Sequence, residues 1–262
     1  MESTTATTSP RVALVTGGRR GIGRGIAYAL AESGFDVAIA DLVRDDAAEE
    51  TLQGVAGRGR RARFFVCDVA DLDAHAPLLA GVHEGLGGLD CLVNNAGISV
   101  AQRGDLLDAS PESFDRLLSV NLRGPFFLTQ RVGRAFLADR RPERYRSIIN
   151  ISSANAFAAS LNRGEYCLSK AAITMATRLF AARLAEGVVA VFEIRPGVIR
   201  TDMTAVAAAD YDRRIAGGLS PIARWGTPED VGRAAAALAG GAFAFSTGDA
   251  IHVDGGFHIQ RL

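Results

Sequence analysis

From residue 11 onward, short and almost wholly apolar runs alternate with longer stretches in which apolar residues recur every three or four positions. Arg11-Val-Ala-Leu-Val-Thr16 is the first short run. It stops at Gly17-Gly18 and reads as a strand. The same reading predicts strands over 36–40, 62–67, 89–93, 147–152, 188–194 and 250–253. Helical spacing predicts helices over 21–33, 45–56, 71–86, 110–139, 164–186 and 227–239. Some boundaries carry their own signals. Gly34 suits a helix C-terminus, Ser110-Pro111 supplies an N-cap followed by proline, and Thr227-Pro-Glu-Asp is a helix start. Gly124-Pro125 is expected to disturb the long fourth helix midway, because proline removes a backbone donor. Strands apolar along their whole length belong to a parallel sheet covered on both faces. The pattern therefore predicts an α/β chain: a single doubly wound, Rossmann-type domain with a seven-stranded parallel sheet and helices on both faces. With no repeat and no linker, residues 11–262 are expected to form that one domain, after a polar, disordered tail at 1–10.

Composition narrows the partners. Of 262 residues, 29 are Lys or Arg and 29 Asp or Glu, so the formal charge is zero. Nucleic acid and anionic membranes select a basic face, which argues against both; only Arg19, Arg20 and Arg24 crowd one turn. No apolar run reaches the ~20 residues that span a bilayer, and the small-residue stretch 234–245 is broken by Gly240 and Gly241. Cys67, Cys91 and Cys167 are odd in number and lack ligand spacing, which fits free thiols in a reduced, cytoplasmic setting. His75, His83, His252 and His258 are scattered along the chain, and no metal site is expected.

The turn Thr16-Gly17-Gly18-Arg19-Arg20-Gly21-Ile22-Gly23 joins the first strand to the first helix. Glycines there let the backbone approach a pyrophosphate, and the helix N-terminus presents free N–H groups to it. Eighteen residues past Gly23, Asp41 ends the second strand, followed by Leu42. A carboxylate at that place accepts hydrogen bonds from an adenosine ribose and repels a 2′-phosphate. It favours NAD. Arg20, with Arg19 or Arg44, argues for NADP as the alternative, since guanidinium groups clasp phosphates.

Further motifs follow in order: Asp68-Val69 after the third strand, Asn94-Asn95-Ala96-Gly97 after the fourth, Asn121 in Ser-Val-Asn-Leu-Arg-Gly, then Ser153, Tyr166-Cys-Leu-Ser-Lys170, Arg195-Pro196-Gly197 and Val253-Asp254-Gly255-Gly256. Together with the glycine turn, this series resembles the short-chain dehydrogenase/reductase family from about Arg11 to Phe257, and in pattern its 3-oxoacyl-carrier-protein reductase branch. The resemblance implies a dinucleotide cofactor bound by Gly17, Arg19, Arg20, Gly21, Ile22, Gly23, Asp41 and Leu42. It places Asp68 and Val69 by the adenine and Asn94, Ala96 and Gly97 by the cofactor's central part. Pro196, Gly197, Val198 and Thr201 should border the nicotinamide, and Asn121 should lie beside Lys170. It also implies a homotetramer or homodimer, with Asp254-Gly255-Gly256 at a subunit contact.

Reducing a ketone requires a hydride on carbon and a proton on oxygen; the cofactor brings the hydride and the protein the proton. Tyr166 and Lys170 are four apart on a predicted helix, hence on one face. Bringing a phenol from ~10 to neutrality takes roughly 4 kcal/mol of support for the phenolate, which an ammonium about 4 Å away can supply. Ser153, thirteen residues earlier, can donate to the substrate oxygen; the family spacing selects it over Ser152. The catalytic set is then Asn121, Ser153, Tyr166 and Lys170, serving hydride exchange between NAD(P) and a carbonyl or secondary alcohol. Two segments are expected to shape the substrate site: the loop 155–165, with Asn155, Phe157, Asn162 and Arg163, and a mobile lid at 202–221. Asn155 and Arg163 suit a polyol, a sugar or a small keto acid. Alternatives are a 3-oxoacyl thioester reductase using NADPH, a non-redox epimerase or dehydratase on the same scaffold, and a silent regulatory protein.

Overall fold

Seven strands form one all-parallel sheet in the order β3-β2-β1-β4-β5-β6-β7. They are β1 (Arg11–Thr16), β2 (Phe35–Asp41), β3 (Ala62–Val66), β4 (Cys91–Asn94), β5 (Arg146–Ile151), β6 (Val189–Pro196) and β7 (Ala250–Val253). This computed structural model describes residues 10–139, 144–205 and 207–260, so the expected tail at 1–10 lies outside the described residues apart from Pro10. The helices are α1 (Gly21–Glu32), α2 (Asp46–Ala56), α3 (His75–Leu86), α4 (Pro111–Leu118), α5 (Gly124–Ala138), α6 (Gly164–Leu184), α7 (Asp202–Ala205), α8 (Ala208–Ala216) and α9 (Pro228–Gly240). Among the described residues, none is long and apolar enough to cross a membrane.

β1 shows why the strands read as unbroken apolar runs. Ala13 and Val15 pack into a layer with Ile26 and Leu30 of α1 and Val231 and Leu238 of α9. Val12 and Leu14 face the other way, onto Leu78 and Val82 of α3, Leu128 and Val132 of α5 and Leu184 of α6. Alternate side chains point to opposite faces of a strand, and both faces are covered, so every position is selected to be apolar. Order reverses between β2 and β4 around β1. In an open parallel sheet that switch point leaves a crevice beyond the carboxyl ends of the strands.

Several boundaries differ from the sequence expectation. β3 stops at Val66, β4 begins only at Cys91 and β6 continues through Pro196. The helix expected over 110–139 is broken more sharply than foreseen, into α4, a π-helical turn over Ser119–Arg123, and α5. Pro125 has no N–H to offer the preceding turn; the Gly124 N–H reaches back five residues to the Ser119 carbonyl instead. Gly124 is also where this helix meets the β3–α3 connection. A Cβ there would lie 2.2 Å from the Val69 carbonyl oxygen. The segment 202–221, expected as a lid, contains α7 and α8, and α8 is anchored by buried Tyr211 and Ile215 on one face.

Candidate active site

A cavity of about 500 Å³ lies at the crevice. The β1–α1 turn contributes Gly17, Arg19, Arg20, Gly21, Ile22 and Gly23; the end of β2 contributes Asp41 and Leu42; and Asp68 with Val69 follow β3. Ala96 and Gly97 line it from beyond β4, Tyr166 and Lys170 from α6, and Thr201 from the segment after β6. A second cavity of about 190 Å³ adjoins it and shares Tyr166 and Thr201. Its walls include Ser153, Asn155, Arg163, Pro196, Gly197 and Val198. Two regions of the chain that are far apart in sequence thus meet at one phenol.

Four expected residues line neither cavity: Phe157 and Asn162 of the loop 155–165, and Asn94 and Asn121. Asn94 was expected beside the cofactor's central part, but its side chain is buried and donates to Thr129 Oγ1 and Asn150 Oδ1, both at 2.8 Å. Its neighbour Asn95 is the cleft residue: Nδ2 donates to the carbonyls of Thr16 and Gly17, each at 2.9 Å. Strand parity decides between them. Leu92 and Asn94 share the face toward α5 and α6, and the next residue turns the other way. Counting from the apolar residues of β4 is the signal that finds Asn95. Asn121 is also internal. In the π-helical turn it accepts from the Ile98 N–H at 2.8 Å and donates to the Ile98 carbonyl and Ser169 Oγ, fastening the loop after β4 to α6 one residue before Lys170.

Ser152 and Ser153 point in different directions. Ser152 Oγ is buried and donates to Glu193 on β6. Ser153 opens the turn after β5, accepts from the Asn155 N–H at 3.1 Å and stands close enough to Tyr166 to pull its phenol down. Lys170 is 5% exposed, with Nζ donating to the Ile151 carbonyl at 3.1 Å and standing 5.6 Å from the centre of the Tyr166 ring. The Arg163 guanidinium lies 5.5 Å from the centre of the same ring.

The electrostatics differ from the sequence argument. Burial raises the Tyr166 phenol above its usual 10, while the Ser153 hydroxyl and the Arg163 charge pull it back down. Lys170 is the group most strongly affected in the other direction: burial lowers it from 10.5 to about 8, against the opposing pull of Glu193. Among the chain's own groups, the Arg163 charge pulls the phenol in the direction that the sequence argument assigned to Lys170. A buried ammonium costs stability as long as it is protonated. The folded protein releases that proton near pH 8 and the unfolded chain near 10.5, so the unfolded state binds more protons in between and stability rises with pH across that window. Lys170→Met is accordingly expected to unfold at a higher temperature than wild type at pH 7, with the gap narrowing from pH 8 to pH 10. Thermal melts of both proteins across that range check this; a constant gap removes the explanation.

The arginines that argued for NADP are engaged. Arg19 pairs with Asp45 and lies 3.9 Å from Asp41, and its backbone N–H donates to Asp41 Oδ2 at 3.2 Å. Arg20 pairs with Asp202 at 3.0 Å, and Arg44 with Glu49. The histidines, by contrast, are not all scattered. His252 and His258 stack with centroids 4.0 Å apart, and Asp254 lies against both, at 3.5 and 2.9 Å. They border a separate cavity.

A family model described as enoyl-(acyl carrier protein) reductase matches residues 17–258. The chain is 35% identical over 253 residues to 2-dehydro-3-deoxy-D-gluconate 5-dehydrogenase of Dickeya dadantii, covering 94% of this chain and 95% of that one. It is 33% identical over 248 residues to 3-oxoacyl-[acyl-carrier-protein] reductase of Staphylococcus aureus, covering 94% and 98%. Among solved structures, a 3-oxoacyl-[acyl-carrier protein] reductase from Brucella melitensis in complex with NAD superposes with TM-score 0.92 at 50% identity, over 98% of this chain and all of that one. A structure from Agrobacterium tumefaciens with bound NADP superposes with TM-score 0.85 at 33% identity, over 96% and 98%.

Proposed function

Because the chain belongs to the short-chain dehydrogenase/reductase family and is an NAD(P)-dependent oxidoreductase of carbonyls and alcohols, we propose that it uses NAD(H) and exchanges the substrate proton through Tyr166. The observation that carries this reading is the meeting of Ser153, Tyr166 and Lys170 where the two cavities join.

The larger cavity fits a dinucleotide. Its phosphate end is bare backbone: a Cβ on Gly17 would lie 2.8 Å from Ala96 Cα, and one on Gly23 only 2.1 Å from the Gly17 carbonyl oxygen. Arg20 at the head of α1 makes no side-chain cap, which leaves first-turn N–H groups for a pyrophosphate. Asp41 and Leu42 would hold the adenosine ribose, Asp68 and Val69 the adenine, Asn95 to Gly97 the centre, and Pro196 to Val198 with Thr201 the nicotinamide end. Bound nicotinamide supplies or accepts the hydride.

The rest belongs to the chain. Ser153 donates to the substrate oxygen and orients it. Tyr166 Oη gives up its proton as a carbonyl is reduced and takes one back as an alcohol is oxidised. Lys170 spends one ammonium donor on the Ile151 carbonyl, and the remaining donors serve the cleft. Asn121 positions this group through Ile98 and Ser169 without reaching the cleft. A polyol, sugar or small keto compound fits the polar loop bearing Asn155 and Arg163, and the Dickeya relative's name points to such a substrate for that protein. Free Cys67, Cys91 and Cys167 support a reducing, cytoplasmic setting. Exposed Leu168, Met175 and Leu179 recur along α6 and support a homodimer or homotetramer, which light scattering on the purified protein measures.

NAD(H) is preferred because Asp41 lines the cavity while Arg19, Arg20 and Arg44 already face carboxylates. A side-by-side fluorescence titration should show tighter binding of NADH than NADPH. Asp41→Ala should weaken NADH about tenfold, the value of one hydrogen bond to a charged group, and narrow the difference. Tighter NADPH binding by the wild type would reverse the assignment.

A further inference from the structure

We propose that the substrate carries a carboxylate, held in the smaller cavity by Arg103, Arg163 and Arg214. This inference rests on the Tyr166 reading and adds the charge of the substrate to it. Among the described residues, the cavity is lined by those three arginines and by no aspartate or glutamate. Many other guanidinium groups of this chain, whose net charge is zero, do meet acids. Asp36 answers Arg60 and Arg61, Glu193 answers Arg195, and Asp230 answers Arg224 and Arg233.

The three cavity arginines are placed by separate elements. Arg163 immediately precedes α6, and its side-chain contacts are neutral: Ser160 Oγ at 3.3 Å and Tyr211 Oη at 3.5 Å. Arg103 comes from the long loop after β4 and has no acid partner among the described residues. Arg214 is carried by α8, one turn from Tyr211, whose buried ring packs edge-on against Trp225 with centroids 5.6 Å apart. Its one acid neighbour, Asp210, is 3.8 Å away and half exposed, a pairing of little strength.

Cations that are unpaired or only weakly paired around a concave site concentrate anions there. The guanidinium fork matches the two oxygens of a carboxylate, which adds orientation to attraction. Because Arg163 borders both the cavity and the Tyr166 ring, a carboxylate on it also fixes where the reacting carbon falls relative to the phenol. The remaining walls, including Met203, Leu219 and Phe257, suit a short carbon skeleton.

The test compares acids with their neutral counterparts. Purified enzyme with NAD is offered short hydroxy acids and aldonic acids, each beside its methyl ester, together with a sugar phosphate. The acids should be preferred. Arg163→Gln and Arg214→Gln should each lower the acid-over-ester ratio of kcat/KM by roughly 10- to 100-fold, through KM more than kcat. Arg214 is exposed, so its variant is expected to fold. For keto acids that are not turned over, quenching of NADH fluorescence gives the same comparison as binding. Esters used as well as acids, a ratio unmoved by both variants, a sugar phosphate that outcompetes every acid, or acids that neither react nor bind would each overturn the proposal. An enzyme that oxidises neutral alcohols through Tyr166 without preferring acids refutes the charge assignment alone. Turnover that survives Tyr166→Phe refutes the reading beneath it.

Discussion

Tyr166→Phe is expected to lower turnover by about 10²- to 10⁴-fold, the usual range for loss of a general acid or base, while NADH still binds. The substitution removes one oxygen and keeps the ring. The aromatic body between Arg163 and Lys170 is therefore preserved, and the cavity changes little in shape. What disappears is the only phenol that both cavities share. Because burial holds that phenol above 10, it is neutral in the resting protein at pH 7 and ready to donate. In the oxidising direction the enzyme must instead form the phenolate, so the rate of alcohol oxidation should climb with pH in wild type and lose that dependence in the variant. Steady-state rates in both directions, with NADH binding followed by fluorescence, separate lost chemistry from lost binding. A variant turning over at the wild-type rate excludes Tyr166 as the proton donor.

Gly23→Ala should be damaging for a different reason. The new methyl carbon would sit 2.1 Å from the Gly17 carbonyl oxygen and 2.7 Å from Asn95 Nδ2. Neither is the loose end of a flexible side chain. Gly17 is held by its N–H to the Ala40 carbonyl at 2.7 Å, and Asn95 is tied to Thr16 and Gly17. The turn and the head of α1 must therefore move apart, costing about 2–3 kcal/mol in the manner of an overpacked core. For a chain of this length that corresponds to a melting temperature lower by roughly 4–12 °C. The same displacement takes first-turn N–H groups away from a bound pyrophosphate. Each charge-assisted hydrogen bond lost is worth about tenfold, so losing two weakens NADH about 100-fold. Differential scanning fluorimetry with and without NADH reads both effects. A variant melting like wild type and still stabilised by NADH would mean that the turn relaxes freely.

Most of the fold was legible because both sheet faces are buried. That condition makes each strand an apolar run, and the alternation with helices follows from the parallel connections. Strand ends were less legible. The predicted strand at 62–67 overshoots β3 by one residue, since Cys67 is as apolar as the strand before it and still donates its N–H to the Asp41 carbonyl, while the register with β2 closes at Val66. In the candidate site, the glycine turn and Asp41 could be named from sequence because each sits at a fixed offset from an element boundary, whereas Tyr166 and Lys170 came from the family resemblance.

The sequence by itself determined the architecture and the presence of a dinucleotide site, and through its family resemblance it nominated Tyr166 and Lys170 for proton exchange, since these depend on local pattern and on spacing along one strand–turn–helix unit or one helix face. Tertiary structure decided the matters that depend on direction and on neighbours distant in sequence. It pointed Ser152 at Glu193, set Ser153 against Tyr166 at the cavity, and set carboxylates against Arg19, Arg20 and Arg44. It also gathered Arg103, Arg163 and Arg214 around a single cavity lined, among the described residues, by no acid. The physical reason is that a group's charge and hydrogen-bonding capacity belong to its residue type, whereas its protonation, pairing and reach depend on what folding places within a few ångströms of it.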